Sequence, residues 1–165
     1  MKLNVLSAAV IAGLTMSSCN SAKNTKENAV VNSIESEHGV SVTEKLPYQL
    51  AKNYFVKNTY KNDQIEILKI TTQDKFDEVF GMAATMVESG RTTKIDFLKQ
   101  YVIAVIGVVT NKETEFVVND LRKVDNEILF NYSLSEGKEM SFTIQPSLII
   151  TVGNNYNGEL KVEKK

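Results

Sequence analysis

Hydrophobic spacing changes three times along this chain. Residues 3–16 form a mostly apolar run behind Met1 and Lys2. Residues 20–45 (NSAKNTKENAVVNSIESEHGVSVTEK) are polar, mixed in charge and without a sustained apolar period. Such a stretch cannot bury enough surface to offset its ordering entropy, and it reads as a flexible stalk with a reach of about 30 Å. From about Leu46 the spacing turns structural. Residues 51–60 (AKNYFVKNTY) read as a first strand or an aromatic-anchored lead-in. Residues 64–70 (QIEILKI) alternate, with Ile65, Ile67 and Lys69 on one face and Glu66, Leu68 and Ile70 on the other, as in a strand with one well-covered face.

A helical period follows. Thr71 or Thr72 offers an N-cap, and Phe76, Val79, Phe80 and Ala83 recur at i, i+3, i+4 and i+7. The pattern predicts one amphipathic helix broken near Gly81, with Asp74, Asp77 and Glu78 suited to its dipole. After a Ser/Thr/Gly-rich stretch at 84–94, residues 95–98 (IDFL) return the chain to the core. Residues 101–109 (YVIAVIGVV) are continuously apolar and rich in β-branched side chains, which predicts the central strand. Short strands then follow, with turns expected at Asp125-Asn126, at Ser135-Glu136-Gly137-Lys138 as a hairpin, and at residues 153–158 (GNNYNG). Ile128, Phe130, Tyr132 and Leu134 alternate cleanly, as do Met140, Phe142 and Ile144. Leu148, Ile150 and Val152 continue the inward face. The fold class expected is β-rich α+β: a small antiparallel β-barrel or sandwich, OB-like, with one amphipathic helix. Its domain would span residues 46–165.

The apolar start is an address. It is shorter than the about 20 residues a membrane-spanning helix needs and fits the core of a secretory signal. Met16-Ser17-Ser18-Cys19 resembles the lipobox of bacterial lipoproteins, in which the cysteine is acylated and becomes the mature N-terminus. The resemblance implies a signal peptide at residues 1–18, lipidation at Cys19 and anchoring in the outer membrane, facing the periplasm or the cell surface. Asn20 in place of an aspartate disfavours inner-membrane retention.

Composition narrows the chemistry. Lys plus Arg total 19 against 20 for Asp plus Glu, a net charge of −1, which argues against nucleic acid as partner. One His and one Cys leave too few ligands for a Cys/His zinc site, and with both of them ahead of residue 46 the expected domain holds neither residue for a His-based nucleophilic machine. His38 lies in the stalk. The acidic groups Asp74-Asp77-Glu78, Asp96, Asp120-Asp125 and Glu113-Glu115 decorate a helix start, a turn and hairpin ends. No calcium loop or phosphate loop appears, since Gly81, Gly90 and Gly107 are isolated, and the lack of Trp disfavours a sugar platform. The expectation is a non-enzyme without cofactor or metal.

Two features remain. Tyr48, Tyr54, Phe55 and Tyr60 suit core and edge packing better than a ligand shelf. The connection at 82–94 is long for a small domain, and long ordered connections tend to be functional. Its tip holds Ser89, Gly90, Arg91 and Thr92, with Arg91 as a candidate anchor.

The phrases NYFVKN at 53–58, KFDEVFGMAATM at 75–86 and IDFLKQYVIAVI at 95–106 resemble small lipoproteins of the Bacteroidota. That set includes the potempins, lipid-anchored inhibitors of peptidases secreted by the same cell. A remoter similarity is to the C-terminal domain of a protease-complex accessory subunit. The resemblance implies a membrane-anchored inhibitor that blocks an extracytoplasmic peptidase, serine or metallo, with a loop or edge strand. The alternative is a non-enzymatic structural or assembly lipoprotein of the envelope.

Overall fold

The computed structural model describes residues 42–83 and 91–164. The signal segment, Cys19, most of the stalk, Ser89 and Gly90 lie outside the described residues. In chain order the elements are β1 (Thr43–Lys45), β2 (Gln49–Leu50), β3 (Tyr54–Val56), β4 (Glu66–Ile70), α1 (Gln73–Val79) and β5 (Phe80–Met82). Then come β6 (Gln100–Ile106), β7 (Thr110–Val124), β8 (Glu127–Ile144), β9 (Ser147–Gly153) and β10 (Glu159–Lys164).

One long ribbon organises them. β6 and β9 pair antiparallel from Gln100↔Gly153 to Ile106↔Ser147. The Gly107 N–H then donates to the Pro146 carbonyl at 2.8 Å, and the two strands pass on as β7 and β8, antiparallel to Val124↔Glu127. Asp125, in the left-handed region at φ 53, and Asn126 close the tip. The ribbon folds over at Gly107 and Pro146, so its base lies in one sheet and its tip in another. A Cβ on Gly107 would sit 2.7 Å from Pro146 Cγ and 3.2 Å from the Phe116 ring, so this close approach requires glycine.

The remaining strands flank the ribbon. One sheet has the order β1-β7-β8-β10, the other β2-β9-β6-β4, and β3-β5 form a two-stranded piece. Because β10 runs parallel to β8, the first sheet is mixed. The result is an open sandwich rather than a closed barrel. Tyr101, Ile103, Val105, Leu148, Ile150 and Val152 face Phe116, Leu121, Ile128, Phe130 and Tyr132 across the two sheets. The other face of β6 and β9 presents Val102, Ala104, Ile106 and Ile149 to Phe76, Val79, Phe80 and Val56. Residues 101–106 are therefore at most 2% exposed, as an unbroken apolar run requires. Each such aliphatic side chain contributes about 1.5–3 kcal/mol on burial.

The expected alternation of β4 holds, but both faces are covered rather than one: Ile65 and Ile67 pack on the first core, Leu68 and Ile70 on the second. Thr72 caps α1, its Oγ1 accepting from the Lys75 N–H at 3.3 Å.

Five expectations are corrected. The domain begins by Thr43, because Thr43–Lys45 pair with β7 and Leu46, 2% exposed, donates to the Leu121 carbonyl. The helix ends at Val79, since Phe80–Met82 leave it to pair with β3. The strand expected over 51–60 is confined to Tyr54–Val56 and follows two short edge strands. The apolar run at 101–109 outlasts its strand, leaving Val108 and Val109 exposed at the bend. Finally, Ser135–Lys138 is no hairpin turn but part of the 18-residue β8. Register shifts absorb its turn-like composition: β8 runs from Glu139 to Ile144 while β7 runs only from Lys112 to Thr110.

Candidate functional site

The polar contacts of greatest interest converge on the entry to β3. Asn53 takes the left-handed region at φ 65, which Asn tolerates better than most residues. Its carbonyl accepts from the Ala83 N–H at 2.9 Å, and its Nδ2 donates to the Arg91 carbonyl at 2.9 Å. Lys52 N–H donates to Thr93 Oγ1 at 2.9 Å, and Thr93 N–H returns a bond to the Lys52 carbonyl at 3.2 Å. Tyr54 Oη donates to the Thr93 carbonyl at 2.7 Å. Three consecutive residues thus hold both ends of the connection whose tip was singled out from sequence. The ring of Tyr54 packs edge-on against Phe76, with centroids 4.9 Å apart, so the clamp is rooted in the second core. Arg91 is exposed and Thr92 half-buried.

Asn53 was not singled out from sequence. Its partners lie 30 residues or more away, and only an Asn ahead of an aromatic strand hinted at a left-handed turn.

The other candidates are placed elsewhere. Tyr54 enters the core, whereas Phe55 covers Gly81 and is half exposed; Tyr60 donates to Glu66, and Tyr48 lies at the rim. These four do not converge on a shelf. Lys75 pairs with Glu78 at 2.7 Å, Asp77 accepts from Gln73, and Asp96 caps the turn at Leu98. Asp120 pairs with Arg122. Among the described residues no three His, Cys, Asp or Glu side chains group as a metal site, and no helix is long and apolar enough to cross a membrane.

The turn at 154–158 is fastened to the body. Asn154 N–H donates to the Lys99 carbonyl at 2.8 Å. Lys69 Nζ donates to Asn157 Oδ1 and the Gly158 carbonyl while lying 4.7 Å from the Tyr101 ring centre. Burial lowers the Lys69 pKa. Tyr101 Oη donates to the Tyr156 carbonyl at 2.9 Å, and burial pushes its pKa up to about 12.

That shift makes a pH prediction. A raised folded-state pKa favours the neutral ring, so the stabilisation is whole below pH 10 and is lost as the pH rises through about 12. The loss for Tyr101 alone is about 2 kcal/mol by pH 12. Urea midpoints measured between pH 8 and 12 are expected to fall less steeply for Tyr101→Phe than for the wild type. Parallel declines would show that the hydroxyl stays ionisable as in water.

The architecture defines a β-rich α+β domain with a sandwich at its centre and a polar clamp at one margin. No family model, curated protein or solved structure matches the chain.

Proposed function

We propose that this chain is a lipid-anchored, non-enzymatic inhibitor of an extracytoplasmic peptidase, docking through the 82–94 connection with Arg91 as its anchor. The observation that carries this reading is the clamp: Ala83 and Arg91, the last and first described residues on either side of the tip, bond to the same residue, Asn53. Holding both ends lowers the ordering cost of binding, the general advantage of preorganised contact loops. The resemblance to potempin-type lipoproteins supports the same class of partner, and the motif ending at Cys19 supports a tether that keeps the inhibitor at the outer membrane, where secreted peptidases pass. Neither a cofactor nor nucleic acid enters the reading.

Two measurements test it. The mature chain is assayed against a panel of serine, metallo- and cysteine peptidases, and tight inhibition of one serine or metallopeptidase is expected. Silence across the panel would sink the proposal. For the anchor, mass spectrometry is expected to find acylated Cys19 at the mature N-terminus, and Cys19→Ser to leave the protein unprocessed or in the soluble fraction. A mature chain that starts elsewhere and carries no lipid would refute the anchor.

A second reading, an assembly module of the envelope, is favoured by Val108, Val109 and Phe142, which are 38%, 54% and 60% exposed beside the bend. It predicts a blank peptidase panel and a specific envelope partner that Phe142→Ser releases.

A further inference from the structure

We infer that the clamp made by Asn53 and Tyr54 withholds the Arg91–Thr92 peptide bond from peptidases, so that an Arg-preferring enzyme does not cut there. An endopeptidase draws the residues around the scissile bond into an extended strand along its cleft. It must also seat the scissile carbonyl oxygen among the donors of its oxyanion hole. The Arg91 carbonyl is already engaged, accepting from Asn53 Nδ2 at 2.9 Å. Two residues on, both backbone groups of Thr93 are committed, the N–H to the Lys52 carbonyl at 3.2 Å and the carbonyl to Tyr54 Oη at 2.7 Å. Thr93 Oγ1 holds the Lys52 N–H at 2.9 Å. Attack after Arg91 would require these bonds to open together.

The shield is itself held. Asn53 is fixed by its left-handed backbone and by the Ala83 N–H on its carbonyl. Tyr54 is fixed by its edge contact with Phe76. These bonds are made by the Arg91 carbonyl and by Thr93, and they keep the peptide bond after Arg91 out of register with a peptidase's reacting groups. The protection of the bond stands on the geometry of residues 52–54 and 91–93. Its use in surviving a target peptidase rests on the inhibitor reading above.

The test uses the full-length chain and an Arg-specific endopeptidase, with cleavage located by mass spectrometry. Arg91 and Arg122 are the chain's two arginines. Arg122 lies in β7 between β1 and β8 and pairs with Asp120, so cutting there reports global unfolding. Asn53→Gly keeps the left-handed backbone and removes the amide. Asn53→Asp keeps the shape and replaces the donor with an acceptor. Wild type is expected to resist at Arg91, and both variants to be cut there about three- to ten-fold faster, the factor one lost hydrogen bond supplies. Arg122 should stay intact. Equal rates at Arg91 in all three chains overturn the inference, as does rapid cutting of wild type at Arg91 with Arg122 intact. If a variant is cut at both arginines, Tyr54→Phe decides, since it removes only the bond to the Thr93 carbonyl. Faster cutting at Arg91 alone supports the inference, and no change overturns it. A wild-type chain that resists at Arg91 yet inhibits no peptidase sinks the functional reading and leaves the inference standing.

Discussion

Phe76→Ala is expected to lower the stability of the domain by about 3–5 kcal/mol, the range for deleting a buried aromatic ring. Phe76 is 2% exposed. Its ring centre lies 4.9 Å from those of Tyr54 and Phe80 and 5.8 Å from that of Phe97. The site therefore joins α1, β3, β5 and the returning chain at 95–98 in one cluster. A seven-residue helix is too short to persist without such packing. A small domain has about 5–15 kcal/mol in total, so the variant loses a large share. Equilibrium urea unfolding is the measurement, with the transition followed by two probes. A loss below about 1 kcal/mol would mean that the layer covering the second face of β6 and β9 is dispensable. The same substitution removes the ring against which Tyr54 leans, so it should also loosen the clamp on Thr93.

Arg91→Ala is expected to weaken inhibition of an Arg-preferring peptidase by about 2 kcal/mol, roughly 30-fold, the scale of an interface hot spot. A peptidase pocket selective for arginine holds the guanidinium by charge-assisted hydrogen bonds to a buried carboxylate, and alanine offers nothing in exchange. The bond from Asn53 reaches the Arg91 carbonyl, so the substitution leaves the clamp in place. Stability should change by less than about 0.5 kcal/mol, as for most exposed positions. Inhibition constants for Arg91→Ala are to be compared with those for alanine variants in the turn at 154–158 and in the exposed ribbon at 110–115 and 135–139. Full inhibition by Arg91→Ala, together with loss at one of the others, would move the contact there.

Local periodicity carried much of this fold. The run at 101–109 declared the central strand, because a strand covered on both sides needs no polar alternation, although the strand itself stops at Ile106. The pattern of Ile65, Ile67, Leu68 and Ile70 sorted the side chains between two faces, while the covering of both faces came from packing. Thr72, Asp125 and Asn126 marked a cap and a turn through chemistry that acts within a few residues. Arg91 was visible as one of two arginines in a stretch without a period.

What the sequence could not carry is non-local. Ser135–Lys138 has turn composition, yet β7 supplies a partner across a register shift and keeps it in a strand. Gly107 bends the ribbon where Pro146 closes in on it from the opposite strand. β10 lies parallel to β8, a choice no alternation within ELKVEK expresses. The candidate site belongs to this second kind. Residues 83 and 91 meet at Asn53 only after β3 and β5 pair, and the hydrogen bond that holds the Arg91 carbonyl spans 38 positions of chain. Spacing along a chain reports which side of an element is buried. Which backbone atom finds which distant partner is decided by packing, and here that decides how Arg91 is held.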